Sequence, residues 1–344
     1  MQMQLWQALL LGGLQGVAEL FPISSLAQTI LIPALLGWNL NQKDSNFLAF
    51  VVALHLATAV ALVIYFWKDW LKVVMAFLGC LTRGKLVYDR ESKFAWLLVA
   101  GTIIVGAVGL VAEKKLRAFF EDPSITWVIG GILVVNGFVM LYADHIKLKS
   151  MQQEPMQAEL APDVAMHAVL VGRPVALKNA SVGQAPMQMM KAEDLTFPQA
   201  TTVGAMQTLA LFPGISRSGV TIIGGLFAGL TYEEASRFAF MLATPVIGLA
   251  AILKVPDLIK SHDQQLIQNA LWGSAVAFVA AYLSVAFLMK YFHNNRLSPF
   301  GYFCIIFGLA SGFYLKTHPQ QDLTKQISQN SSSQVIHQDT PAAG

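Results

Sequence analysis

Apolar residues in this chain gather in long runs parted by polar interruptions, with none of the alternation of a half-buried strand. Six runs are long enough to cross a bilayer at roughly 20 residues per helix. They lie near Phe47–Trp67, Phe94–Ala112, Ile125–Ala143, Ala235–Lys254, Leu271–Lys290 and Pro299–Lys316. Two more runs, Leu5–Trp38 and Phe197–Leu230, are too long for one crossing and have helix-breaking polar centres. Pro22 and Ser24-Ser25 interrupt the first, and Pro213-Gly214 the second. Irregular backbone survives at membrane depth only where protein buries it or it lines a wet cavity. Each broken run therefore predicts a re-entrant pair of half-helices.

The order is broken run, three spans, polar stretch, broken run, three spans. Three crossings are odd, so the second half begins on the opposite side of the bilayer from the first. The prediction is an all-α polytopic membrane protein with inverted-topology repeats, six spanning helices and two re-entrant helix pairs. Residues 1–146 make the first repeat, 147–195 a polar flexible insertion, 196–317 the second repeat and 318–344 a disordered tail. Internal similarity is short but placed correctly. Glu19-Leu20-Phe21-Pro22 is echoed by Ala210-Leu211-Phe212-Pro213, and Gln15 and Gln207 precede the two prolines at similar offsets.

Composition agrees with a lipid solvent. Of 344 residues, 55% are hydrophobic and 12% charged, where a soluble domain carries about 25% charged residues. A net charge of +3, with Lys and Arg scattered over loops, does not suggest a nucleic-acid partner. Cys80 and Cys304 lie far apart and match no disulfide or zinc spacing. The N-terminus lacks the basic region of a signal peptide, so its apolar stretch is expected to be kept. Basic residues concentrate after the first span (Lys68, Lys72, Arg83, Lys85, Arg90, Lys93) and in the central stretch (Lys147, Lys149, Arg173, Lys178, Lys191). Both groups fall on one side, assigned to the cytoplasm, with both termini outside.

Candidate chemistry sits in the two interruptions. Glu19 lies in the apolar stretch Gly16–Phe21, where an ionised carboxylate costs at least roughly 2.5 kcal/mol and marks a functional position by default. Gln15 stands four residues earlier on the same helix face. Together they offer oxygen ligands for a hard cation, or a base beside an amide; an interhelical hydrogen bond is the plain alternative. Ser24 and Ser25 begin a half-helix, where a hydroxyl caps the helix, binds phosphate or attacks it. Arg217 is the only charge between Asp194 and Glu233. Its planar fork suits phosphate oxygens, and Ser216, Ser218, Gly219 and Thr221 complete an anion cradle. An internal ion pair with Glu19 is compatible with that reading. His55, inside the first span, is more often a satisfied core histidine than a catalyst.

These stretches resemble a known family. Gly13-Leu14-Gln15-Gly16-Val17-Ala18-Glu19-Leu20-Phe21-Pro22-Ile23-Ser24-Ser25 is similar to the first motif of bacterial undecaprenyl-diphosphate phosphatases of the bacitracin-resistance type. Pro213-Gly214-Ile215-Ser216-Arg217-Ser218-Gly219-Val220-Thr221 resembles the second motif, and Leu297–Tyr302 the start of the last span. The resemblance implies a multi-pass enzyme of the bacterial inner membrane whose site opens to the periplasm. Its substrate would be a polyprenyl diphosphate lipid, its product the monophosphate carrier of cell-wall synthesis, and its cofactor a divalent cation, Mg²⁺ or Ca²⁺. A homodimer is left open. By position, Gln15 and Glu19 would hold the cation or move protons. Ser25 would be the nucleophile, and Arg217, with Ser24, Gln28, Ser216, Ser218, Gly219 and Thr221, would hold the diphosphate. Two positions depart from the pattern. The family's Ser-Ser-x-Gly-His reads Ser24-Ser25-Leu26-Ala27-Gln28, and Cys304 stands where an arginine is frequent. The first departure leaves Glu19 or His55 to rescue proton transfer. A polyprenyl-phosphate transporter and a lipid-binding relative without turnover are the competing classes.

Overall fold

The structure, a computed structural model, describes residues 3–38, 40, 44–120, 125–159, 190–260 and 262–318. All regular structure among them is helical. The first half holds α1 (Leu5–Ala18), α2 (Ser25–Leu35), α3 (Ser45–Tyr65), α4 (Trp67–Arg83), α5 (Arg90–Phe120) and α6 (Thr126–Glu159). The second holds α7 (Phe197–Met206), a 3₁₀ turn (Gln207–Leu211), α8 (Arg217–Phe227), α9 (Tyr232–Lys260), α10 (Gln264–Phe292) and α11 (Ser298–Thr317). The six long apolar helices α3, α5, α6, α9, α10 and α11 match the six expected spans. Both expected interruptions are real, with α1 and α2 parting at residues 19–24 and the 3₁₀ turn and α8 at 212–216.

Helix α4 was not expected. It follows α3 almost without a gap and buries only Val73, Ala76 and Cys80. Leu71, Val74, Met75, Leu78 and Leu81 are exposed, as on a helix lying in a membrane interface. The polar insertion expected over 147–195 falls mostly outside the described residues, as does the tail from 319. Its last residues are described and packed. Ala192 and Leu195 are buried, Asp194 pairs with Arg90, and Glu193 pairs with Arg237 at 2.8 Å.

Small residues set the packing. On α6 and α11, a Cβ at Gly130 would lie 2.7 Å from the Gly308 carbonyl oxygen, and one at Gly301 would lie 3.0 Å from that of Gly137. Gly12 and Gly16 of α1 press against Gly273 and Ala277 of α10, and Gly204 of α7 against Gly101 of α5. In lipid, where apolar surface gains little by leaving the solvent, close backbone approach of this kind supplies the attraction.

The directions of the helices follow from these pairs. Gly130 meets Gly308 while Gly137 meets Gly301, so α6 and α11 are antiparallel. Asp69, just past the end of α3, holds Arg237 near the start of α9 at 2.9 Å, and Phe47 shares a cluster with Leu258, so α3 and α9 are antiparallel too. Helix α6 touches α8 while α11 touches α2, and the two chain breaks meet in a buried contact.

Candidate active site

The first break is built around Ser24. Its φ of 62° lies in the left-handed region, which a non-glycine residue occupies only under constraint. The Ser24 hydroxyl accepts from the Ala27 N–H at 3.4 Å, capping α2, and from the Gly214 N–H of the second break at 3.3 Å. The second break turns at Gly214, with φ 110°, and enters α8 through Ser216, whose hydroxyl accepts from the Gly219 N–H at 3.2 Å. Asn136 of α6 fastens both. Its Oδ1 accepts from the Ser216 N–H at 3.1 Å and its Nδ2 donates to the Pro22 carbonyl at 3.4 Å. Asn136 is 1% exposed.

This scaffold joins Glu19 and Arg217 in an ion pair through Glu19 Oε1 and Arg217 Nη2. The other carboxylate oxygen collects three groups. Gln15 Nε2 donates to it at 2.9 Å, Ser25 Oγ donates at 2.6 Å, and His55 Nε2 stands 3.3 Å away. His55 Nδ1 lies 2.8 Å from the Val51 carbonyl, which fixes the ring. Glu19, Ser24, Ser25, His55, Gln207, Ser216 and Arg217 line one cavity of about 220 Å³. The rest of its wall is apolar, with Val105, Leu211 and Val246 among the contributors.

Not every expected residue faces that cavity. Gln28, 1% exposed, donates to the Ile23 carbonyl at 3.1 Å. Ser218 donates to the Phe21 carbonyl at 3.4 Å, and Thr221 to the Arg217 carbonyl at 2.7 Å inside α8. A Cβ at Gly219 would lie 3.2 Å from that of Pro22, so this glycine lets the two breaks close on each other. These four stand behind the cavity wall and hold it. Two contributors had weak sequence signals. Asn136 is an intramembrane amide in an otherwise apolar run, and His55 an intramembrane imidazole, the class of residue that marks functional positions.

A divalent cation can be tested against these donors. No group of three or more His, Cys, Asp or Glu side chains converges among the described residues. Gln15 Oε1 is buried without a hydrogen-bond partner among the described residues, beside the Glu19 carboxylate. Both Glu19 oxygens are engaged by Arg217, Gln15, Ser25 and His55. These donors therefore fit only a cation that takes most of its ligands from substrate phosphates, the usual habit of Mg²⁺, once phosphate has drawn Arg217 away.

The family described as "Bacitracin resistance protein BacA" matches residues 8–310. The chain belongs to the BacA family. Its relatives include "Undecaprenyl-diphosphatase 2" of Frankia alni, 37% identical over 88% of this chain and 95% of the relative. "Undecaprenyl-diphosphatase 2" of Burkholderia ambifaria is 38% identical over 92% and 99%. "Undecaprenyl-diphosphatase" of Mycolicibacterium paratuberculosis is 37% identical over 90% and 96%. Six apolar helices within a BacA chain make this a multi-pass membrane protein. The geometry gives roles to His55 and Cys304 as well. An imidazole reaches the Ser25–Glu19 pair from α3, as His55, and Cys304 donates from Sγ to the Pro22 carbonyl at 3.7 Å, bracing the first break.

Proposed function

We infer that this chain is an integral membrane undecaprenyl-diphosphate phosphatase, releasing phosphate to give the undecaprenyl phosphate carrier used in cell-wall synthesis. The observation that carries the reading is the single cavity in which Arg217, Ser25, Glu19 and His55 meet. Residues 1–146 and 196–317 act as inverted repeats, a reading supported by the antiparallel α3–α9 and α6–α11 pairs. The enzyme sits in the bacterial inner membrane, and its cavity opens toward the periplasm.

The chemistry follows from charge. In the resting arrangement Glu19 neutralises Arg217. An entering diphosphate replaces the carboxylate on the guanidinium fork, and the N–H groups at the start of α8 add to its field. Glu19 then faces Ser25 and His55. Ser25 Oγ, already donating to Glu19, bonds to the terminal phosphorus as its proton passes to the carboxylate. The bond from phosphorus to the bridging oxygen breaks, and the lipid monophosphate departs with that electron pair. Water then bonds to phosphorus, the Oγ–P bond breaks, Ser25 regains a proton and phosphate leaves. His55 moves the proton and keeps the carboxylate oriented. Most of the acceleration comes from fixed charge around the spread phosphoryl oxygens. Glu19 with the Gln15 amide oxygen would hold a Mg²⁺ or Ca²⁺, which would supply neutralisation of phosphate charge.

A liposome experiment separates enzyme from carrier. Purified protein is reconstituted with undecaprenyl diphosphate and Mg²⁺, and phosphate release and headgroup translocation are followed together. Release is expected whether or not translocation occurs. Translocation without release would replace the phosphatase with a carrier.

A further inference from the structure

Gln207 begins the 3₁₀ turn Gln207–Leu211, just before the second break. It is 1% exposed and borders the same cavity as Glu19, Ser25 and Arg217. Neither its Nε2 nor its Oε1 has a hydrogen-bond partner among the described residues. That is unusual chemistry for a buried amide. Most buried polar side chains are hydrogen-bonded, and leaving both ends of an amide unpaired is unfavourable. A leucine or methionine would fill the same volume without that cost. Ala210 and Leu211, its neighbours in the cavity wall, offer no side-chain polar atom. No described residue satisfies this amide, and the open space it borders is the cavity.

We propose that Gln207 is a substrate-contacting residue. Its Nε2 donates to a non-bridging oxygen of the terminal phosphate, and its Oε1 accepts from the water that cleaves the phosphoserine. This rests on the phosphatase reading above. An amide suits the task because it presents a donor and an acceptor together and adds no charge to a cavity where Arg217 already meets the phosphate. In the second step the water oxygen bonds to phosphorus and the Ser25 Oγ–P bond breaks. The proton that Glu19 took from Ser25 returns to Oγ as the water passes one proton to Glu19. The other water proton leaves on phosphate, and His55 relays the Glu19 proton to solvent. Gln207 carries no proton itself. It fixes the line of attack, as a glutamine does for the attacking water in some phosphoryl-transfer enzymes.

The test uses the full-length purified protein with undecaprenyl diphosphate and Mg²⁺, comparing Gln207→Leu and Gln207→Glu with the wild type. Gln207→Leu should lower kcat/KM roughly 10- to 100-fold, the loss expected when a hydrogen bond to a charged group is removed. Its melting temperature in detergent should hold or rise, because two unpaired buried polar atoms have gone. Gln207→Glu should raise KM, by placing like charge against the phosphate. Wild-type turnover in Gln207→Leu overturns the proposal, and so does a loss of turnover that comes with a fall in melting temperature, which marks a structural amide. A wild type that releases no phosphate removes the phosphatase reading instead. Calorimetric binding of inorganic diphosphate to wild type and Gln207→Leu then decides on Gln207 alone: weaker binding by the variant supports the contact, and equal affinity overturns it.

Discussion

Arg217 and Glu19, 198 positions apart in the chain, form an ion pair where the two chain breaks meet. The Glu19 side chain is 5% exposed and the Arg217 side chain 18%. A buried pair of this kind contributes little net stability, but removing one partner strands the other charge, at a cost of about 3–5 kcal/mol. Arg217→Gln should therefore melt well below the wild type in detergent, and Glu19→Gln/Arg217→Gln should recover much of the difference. Identical melting of the single and double variants would mean that the pair is not formed in the membrane protein.

His55 stands beside Ser25 at the Glu19 carboxylate. Its Nε2 and the Ser25 hydroxyl address the same Glu19 oxygen, from α3 and α2 respectively. His55→Ala should slow phosphate release about 10²- to 10⁴-fold, the usual range for a lost proton-transfer group. Adding Gln28→His should restore none of that loss, because position 28 faces the Ile23 carbonyl behind the cavity wall. Full activity in His55→Ala would assign proton transfer to Glu19 alone.

Asn136 bonds to both chain breaks and to neither reacting group, so it acts by holding geometry. Asn136→Leu leaves the Ser216 N–H without this partner, at roughly 1–3 kcal/mol for an unsatisfied buried group, and leaves the Pro22 carbonyl only the weak Cys304 thiol donor. Its melting temperature and its turnover should fall together, in contrast to Gln207→Leu. A stable, fully active Asn136→Leu protein would show that the breaks register without it.

The seam between α6 and α11 has no room for side chains at its glycines. Gly130→Val would drive a Cβ to 2.7 Å from the Gly308 carbonyl oxygen and 2.8 Å from the Gly312 Cα. Backbone cannot yield as a flexible side chain does, so the two helices must part. The expected result is loss of monodisperse protein on detergent extraction, read by size-exclusion chromatography. Gly131→Val, one residue on, meets nothing within 4 Å and should behave as wild type.

Much of this architecture is legible in the sequence because lipid imposes long apolar runs. The six spans and both interruptions follow from run length and from Pro22, Ser24, Pro213 and Gly214. Glu19 and Arg217 stand out because a charge at membrane depth needs a reason. Helix α4 escaped that reasoning. Lys68, Asp69 and Lys72 break its apolar run, and its signal is the 3.6-residue period of Leu71, Val74, Met75, Leu78 and Leu81 rather than length. The division of labour inside the motifs was not legible either. Ser24, Gln28, Ser218, Gly219 and Thr221 share motifs with Ser25 and Arg217, yet only the packing of one break against the other decides which hydroxyls face the cavity. Asn136 joins segments far apart in sequence, and no local pattern announces such a contact.

The most direct measurement is phosphate released from undecaprenyl diphosphate by purified protein in detergent with Mg²⁺, wild type beside Arg217→Ala. The wild type should release phosphate steadily, and Arg217→Ala should release almost none at any substrate concentration tested. Equal release by the two proteins would contradict a diphosphate site built on Arg217 and Glu19.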